Sequence, residues 1–517
     1  MAVSGLLLGI DAGTTSVKAG LYDPEGEELA TASVEYTLQT PQPGRVELDP
    51  EVYWRSLVTA VRRTLQEADA VGSSVDALGV SSQGETLIPV SSRGVALAPA
   101  IVWLDSRAVD EARQLALEFD AATVYATTGV PAIGPTWPAC KLLWLSRHEP
   151  ELFHDAARFL LVEDYLLFRL TGRFVTEGGV QSSSLLYDIV HHRWWQAALD
   201  AVGVAPKRLA ELNEPGSAVG HLRPEAADEL GLKGDVQVVA GGMDQGAGAV
   251  GVGNLEPGLL SESTGGAFAV HASIGRPDGD PTGQTPVLVH SAPGYYLYCP
   301  YAPTGGMALK WFRDHFGRPE MERAAATGSD AYDLLTELAV DLKPGCDGLT
   351  MLPHLEGAFS PEYEPAARGV FFGFTLGHGR GHFVRAVLES VAFMLRRNLE
   401  LLRVAGARPR EVRSQGGGSR SALWGQIKAD VCGLPVVTLR GSEAAVRGDA
   451  MLAGVSTGSF VDLAEAVRAA VCREAQFNPN LATQAAYDQA YQRYVRLFEA
   501  LRPLFQEGPA DRASVLG

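Results

Sequence analysis

An uninterrupted apolar run at residues 5–10, GLLLGI, predicts a buried strand, and the small polar turn DAGTT (11–15) leads into a second, SVKAGLYD. DPEG at 23–26 turns the chain again before TASVEYTL. Three strands in succession make an antiparallel opening, not the strand–loop–helix of a mononucleotide-binding unit. After the start signal Asp49-Pro50, apolar positions recur at helical spacing in VYWRSLVTAVRRTLQEA, so a helix is expected at about 50–70. VDALGVSSQ reads as a strand, and strands and helices then alternate to about residue 250. The Gly-rich stretch AGGMDQGAGAVGVGNLEPG (240–258) is expected to separate this half from a second, which restarts with LLSESTGGAFAVH and alternates to the end. Both halves open with a strand, a small Thr-Gly turn and another strand, which suggests a distant internal duplication carried by structure and not by literal sequence. The closing EGPADRASVLG is expected to be a disordered tail.

Composition narrows the function classes. The chain has 517 residues, 46% of them hydrophobic and 20% charged, enough to bury two or three domain cores. Its 43 Lys plus Arg against 61 Asp plus Glu give a net charge of −18. That balance argues against a nucleic-acid or anionic-membrane binder, which would neutralise phosphates with Lys and Arg. One phosphate-bearing small molecule stays open, since backbone N–H groups and a metal can hold it locally. The five Cys are scattered with no CxxC, so buried thiols are expected rather than a zinc site or disulfide framework. With no signal peptide and no membrane-span-length apolar run, the expectation is a soluble, cytoplasmic protein.

Four turns carry candidate chemistry. In Asp11–Thr15, Gly13 lets backbone approach a ligand, Thr14 and Thr15 offer hydroxyls beside exposed N–H groups, and Asp11 can hold magnesium through water. An ordinary Gly hairpin is the alternative. Ser263-Thr264-Gly265-Gly266 repeats this chemistry in the second half, and the pair could clamp the phosphates of one nucleotide. Gly416-Gly417-Gly418-Ser419 precedes a helix of about fourteen residues, with Ser419 a candidate N-cap. It would receive phosphate and leave room for a flat base, or be only a flexible loop. In GGMDQG (241–246), Asp244 stands between glycines at a strand end, a candidate general base or a simple helix cap. Gly246, Gly248 and Gly251 spell GxGxxG, but Asp244 beside them would repel a pyrophosphate. They read as small residues for close helix packing, and a nicotinamide-dependent dehydrogenase is disfavoured.

Together these stations resemble the FGGY carbohydrate kinases of the actin and sugar-kinase superfamily, from about residue 6 to about 500. The resemblance is carried by GIDAGTTSVKAGLYD, VSSQGET, AIVWLDSRA (100–108), KLLWL (141–145), LTGRFVTEGGVQSSSLLYD (170–188) and PTGGMALKWFRD (303–314). It continues through LPHLEGAFSPEYEPAARG (352–369), GVFFGFTLGHGRGHFVRAVLE (369–389), GGGSRSALWGQIKADVCGLPV and EAAVRGDAMLAG. It implies an α/β fold of two actin-like (ribonuclease-H-like) lobes with a nucleotide and sugar cleft between them. The expected division is residues 1–250 as sugar-binding lobe, 251–500 as nucleotide-binding lobe and 501–517 as tail. By the resemblance, Asp244 is the catalytic base and Asp11 the carboxylate near Mg2+. Thr14 and Thr15, with Gly13, contact the β- and γ-phosphates of ATP, Thr264 and Gly265 close from the second lobe, and Gly417 and Gly418 border the α-phosphate and adenosine. The implied partners are a small sugar and ATP, with no nucleic acid and no membrane; many relatives are dimers, so a homodimer is a family expectation only.

The sugar is expected against Gln83, Glu85, Trp103, Asp244 and Gln245. Compared with glycerol kinases, the segment NQRET has lost its Arg to Gly84 and the pocket Tyr stands as Thr136, which predicts a larger pocket with a weaker grip on a triol. Compared with xylulokinases, the Met-His pair of QMHG is absent. The reading is an ATP-dependent kinase of a ketopentose such as xylulose. Erythritol, glycerol or a catalytically silent actin-fold regulator are the alternatives. The alternatives are a satisfied acid at a turn for Glu85, plain core packing for Trp103, and for Arg107 a pairing with Asp105 or Asp110 on a solvated helix start.

Overall fold

The computed structural model describes residues 5–277, 280, 282–441 and 443–507. The predicted opening meander forms as Leu6–Ala12, Ser16–Tyr22 and Glu28–Glu35. The helix Pro50–Glu67 follows, its first turn capped by Asp49, whose carboxylate accepts from the N–H of Glu51 at 3.0 Å. Its face of Tyr53, Trp54, Leu57 and Val61 is buried against the sheet with Leu8, Ile10 and Val17. Val75–Ser82 then returns parallel to Leu6–Ala12.

Among the described residues the two large sheets repeat one topology. In the first, Leu6–Ala12 pairs antiparallel with Ser16–Tyr22 and parallel with Val75–Ser82. Gln237–Met243 continues in parallel and Ala218–His221 closes the edge antiparallel. In the second, Leu259–Thr264 pairs antiparallel with Phe268–Ile274 and parallel with Glu411–Gln415. Val436–Leu439 continues in parallel and Arg473–Phe477 closes antiparallel. The duplication suggested by the two Thr-Gly turns is thus present strand for strand, with both turns at the end of the equivalent central strand.

The Gly-rich stretch expected to separate the halves is not a linker. It comprises the end of Gln237–Met243 and the helix Asp244–Gly251, which lies against Ala444–Thr457, the equivalent helix of the second half. Glycines permit the crossing: a Cβ on Gly251 would stand 1.8 Å from the Ala444 carbonyl oxygen, and one on Gly448 1.9 Å from that of Ala247. The reading of the GxGxxG glycines as packing residues therefore holds at Gly251, whereas Gly248 has its nearest such neighbour only at 4.0 Å. The second helix also lies on the first sheet, where a Cβ on Gly9 would meet Val446 O at 1.8 Å. Leu7, Val239 and Val250 share a core there with Val446, Met451 and Leu452.

Residues 85–210 form a largely helical elaboration with its own core, including Leu142, Leu145, Phe159 and Leu199. The closing helix Gln484–Gln506 extends into the stretch expected as a tail, and residues 508–517 lie outside the described residues. All five Cys are free, four of them buried. Among the described residues no helix is long and apolar enough to cross a membrane.

Candidate active site

Alternation along the opening hairpin brings Asp11 into register with Lys18 across the strands, and the turn closes through a Gly13 N–H to Ser16 carbonyl bond of 2.9 Å. Two strands away, Gln237–Met243 carries a bulge between Ala240 and Gly242. Gly242 adopts φ +90°, a conformation that favours glycine. Its N–H donates to Glu163 Oε1 at 2.8 Å, and a Cβ on it would approach Glu177 Cδ at 3.2 Å. The bulge re-aims the chain so that Asp244 opens the following helix, with the Gln245 N–H donating to Asp244 Oδ1 at 2.7 Å.

Asp11 and Asp244 repel one another. Burial, then the charge of Asp244, raises the Asp11 carboxyl to about 7 against the pull of Lys18, and its Oδ1 is buried with no hydrogen-bond partner. Burial likewise raises Asp244 to about 7, opposed by the Gln245 N–H and reinforced by Glu85. A half-buried carboxylate poised near neutrality suits a general base. Two repelling acids, one with a free buried oxygen, fit a magnesium ion held through one or two carboxylates and the phosphates of its nucleotide. Among the described residues no group of three or more His, Cys, Asp or Glu could hold a metal by itself. Lys18, which sequence reasoning did not single out, is anchored by Glu443 at 2.6 Å; the strand register was the available signal.

The two candidate phosphate turns differ in what their side chains do. Thr15 is exposed, while the Thr14 hydroxyl accepts from Trp103 Nε1 at 2.9 Å. Thr264 is buried: its hydroxyl donates to Glu262 Oε2 at 2.7 Å and accepts from Lys428 Nζ at 2.9 Å. In the second half a ligand therefore meets backbone: the Gly265 N–H closes the turn onto Ala267 O at 3.1 Å, which leaves the N–H of Gly266. The GG of PTGGM folds onto this turn, with Gly306 N–H donating to Gly265 O at 2.7 Å. Gly418 touches the same turn, since a Cβ on it would stand 2.7 Å from Thr264 Cγ2, whereas Gly417 is exposed with open space above it. The expected Ser419 cap is corrected: Ser419 lies in a 3-10 turn, Gly417–Arg420, and Ser421 caps the helix Ala422–Cys432 by accepting from the Trp424 N–H at 3.3 Å.

Where the sugar was expected, Gln83 is buried, donates to the Tyr53 hydroxyl at 2.8 Å and leaves its Oε1 without a partner. Glu85 sits in the left-handed region at φ +57°. Lys141 Nζ fixes that turn by donating to Glu85 O at 2.8 Å and Val102 O at 3.0 Å. Burial raises Glu85 to about 7, opposed by a Ser183 hydrogen bond and by Lys141, whose own pKa burial lowers to about 7. Trp103 packs partly on the first core, its carbonyl accepting from Thr136 Oγ1 at 2.7 Å. Arg107 pairs with Asp105 at 2.7 Å and also with Glu47 at 2.6 Å, a structural role. The room expected from Gly84 does not open: a Cβ there would meet Ser183 Oγ at 2.6 Å and Met243 Cε at 3.1 Å. Ser183 lies in the block 170–188, where no role was expected of it, and Tyr301, which borders Glu85 from the second half and is raised by burial and that charge, comes from a segment without a local motif.

Asp449 is also buried here. Ser81 Oγ donates to its Oδ2 at 2.6 Å, its Oδ1 has no partner, and Gly241 leaves the space it needs, since a Cβ there would lie 2.0 Å from Oδ1. Burial holds Asp164 at about 6 and Glu177 and Glu389 at about 7, and pushes Glu163 and Asp449 further up. Carboxyls with raised folded pKa values stabilise fully below the unfolded value near 4 and lose that contribution as pH rises through the folded one. The thermal midpoint of the ligand-free protein is therefore expected to fall between pH 5.5 and pH 7.5; a midpoint rising over that window would refute the buried-acid account.

Two family models match the chain: the N-terminal domain of the FGGY family of carbohydrate kinases over residues 6–251, and its C-terminal domain over residues 281–457. The chain belongs to the FGGY family of carbohydrate kinases. It is 29% identical to a gluconokinase of Bacillus subtilis (strain 168), with 89% of each chain covered. It is 31% identical to a xylulose kinase of Escherichia coli (strain K12), covering 96% of this chain and all of that one, 100%. The solved ligand-bound xylulose kinase from Lactobacillus acidophilus superposes with a TM-score of 0.89 at 25% identity, covering 98% of this chain and 100% of that one. The fold is therefore the two-lobed actin-like fold of the FGGY sugar kinases, and the enzyme class is that of phosphotransferases acting on carbohydrate.

Proposed function

We propose that this carbohydrate kinase transfers the γ-phosphoryl group of ATP to a hydroxyl of a ketopentose such as xylulose. The observation that carries the reading is Asp244, poised near neutrality at the start of its helix with Glu85 as neighbour. Its carboxylate takes the proton of the sugar hydroxyl as that oxygen bonds to the γ-phosphorus and the bond to the β-phosphate oxygen breaks, releasing ADP. Asp11 would help hold Mg2+, which when bound would supply charge neutralisation for the phosphates. The Gly13–Thr15 turn and the backbone at Thr264–Gly266 hold the phosphates, and Gly417 and Gly418 border the adenosine. Residues 1–250 act as the sugar lobe and 251–500 as the nucleotide lobe; five free thiols suit a reducing cytoplasm.

The gluconokinase relative makes a sugar acid the second reading, but the pocket chemistry speaks against it. Glu85 and Asp244 would repel a substrate carboxylate, Lys141 is spent on backbone carbonyls, and Lys18 on Glu443. Neutral polyols such as erythritol or glycerol meet no such repulsion, but are one or two carbons shorter and lack the ketone oxygen, so they offer Gln83 and Glu85 a shorter row of polar partners. A silent regulator is not favoured, because Asp244 and all the phosphate turns are present. A panel of xylulose, ribulose, erythritol, glycerol and gluconate, read by coupled ADP release, is expected to show the highest kcat/KM with a ketopentose. A preference for gluconate would overturn this reading.

A further inference from the structure

The second half carries another concavity, of about 610 Å3, at the end of its sheet opposite the phosphate turns. Leu259, where the central strand begins, and Ile274 and Tyr298 on the neighbouring strands supply an apolar floor. From there the strand runs to Thr264, about 17 Å away at roughly 3.3 Å per residue. The wall is the segment 405–410, which joins the helix Arg380–Val404 to the strand Glu411–Gln415.

The charge of this concavity runs against that of the molecule. In a chain of net charge −18, its lining includes Arg276, Arg408 and Arg410 and no Asp or Glu. Among the described residues none of the three arginines forms an ion pair. The nearby Glu411 is already shared by Arg413 at 3.1 Å and Arg473 at 2.9 Å. Arg408 is held by donating to the carbonyls of Arg403 at 2.7 Å and Ala407 at 2.9 Å. Arg410 lies across Gly258, where a Cβ would stand 2.9 Å from its Nη2, and Gly258 adopts φ +108°. The last carbonyls of the helix do not offset the positive field freely: those of Leu401, Leu402 and Arg403 accept from the N–H groups of Ala405, Ala407 and Gly406.

We infer that this concavity is a second ligand site, for a small phosphorylated molecule. Guanidinium groups present paired N–H donors that match phosphate oxygens, and the floor of Leu259, Ile274 and Tyr298 suits the carbon skeleton of an ester. The volume lies within the range of about 300–1,000 Å3 typical of small-molecule sites. The site is separate from the catalytic cleft and does not depend on which sugar is phosphorylated there.

The test is calorimetric titration of the full chain with inorganic pyrophosphate while ADP and magnesium fill the nucleotide site. One further binding event is expected, weakening as salt is raised. Arg408→Gln and Arg410→Gln should each lower its affinity about tenfold or more, while Arg318→Gln, an exposed Arg elsewhere, should leave it unchanged. All three arginines of the concavity are exposed, so the variants should keep the parent's circular dichroism spectrum and thermal midpoint. Absence of binding, or binding unaltered by the Arg408 and Arg410 substitutions, would overturn the site. Citrate binding as tightly with the same arginine dependence would overturn its assignment to phosphates.

Discussion

Asp244→Asn is expected to lower kcat by about 10²–10⁴-fold, the usual contribution of a general base, with ATP bound as tightly as by the parent or more so. Asn keeps the shape of the side chain and can still accept from the Gln245 N–H, so the bulge at Gly242 and the helix Asp244–Gly251 should survive. What it cannot do is take the hydroxyl proton. Removing the charge also relieves Asp11, which Asp244 repels, and reduces repulsion of the incoming γ-phosphate. The signature is therefore a loss in kcat with little or no rise in the KM for ATP, measured by coupled ADP release, and a dissociation constant for ATP that holds or falls. A loss in ATP affinity matching the loss in turnover would assign Asp244 to phosphate or metal binding instead. Retained turnover would remove it from the reaction.

Sequence reasoning reached Asp244 because its signal is local: an acid flanked by glycines after an apolar strand. The same holds for Asp11 and Gly13–Thr15, where a small-residue turn between two strands stands out without any knowledge of the fold. The repeat of that turn at Thr264 was enough to suggest the duplication that the two sheets display. What lay beyond the sequence is non-local. Gly84 signals room, yet Ser183 and Met243 arrive from far along the chain and occupy it. The stretch 240–258 reads as a divider between the halves by composition, and although Gly246, Gly248 and Gly251 signal close helix packing, nothing local reveals that the helix pressing on Gly251 comes about two hundred residues later. Ser419 and Ser421 are equally good caps on paper, and the left-handed Gly416 with its 3-10 turn decides for the second. The inward turn of Thr264 was hidden for the same reason: its partner Lys428 belongs to a distant helix.

That partner defines the largest stability effect expected outside the reaction itself. Lys428 and Glu262 form an ion pair at 2.5 Å with both side chains wholly buried, and Ser414 donates to the same Glu262 oxygen that takes the ammonium. Glu262 and Ser414 face each other in register on adjacent strands, so the pair ties the helix Ala422–Cys432 to the sheet just below the Thr264 turn. Lys428→Met leaves a buried carboxylate without its cation and is expected to cost about 3–5 kcal/mol. The double variant Glu262→Leu with Lys428→Met removes both charges and is expected to recover most of that loss, because a buried pair roughly balances its own desolvation. Urea unfolding midpoints of the parent, the two single variants and the double variant give the coupling directly. The KM for ATP should rise in Lys428→Met, since the Thr264 hydroxyl loses a donor and the turn that presents the Gly266 N–H loses its support. Should Lys428→Met prove as stable as the parent, or the double variant no better than the singles, the pair would not be what holds this turn in place.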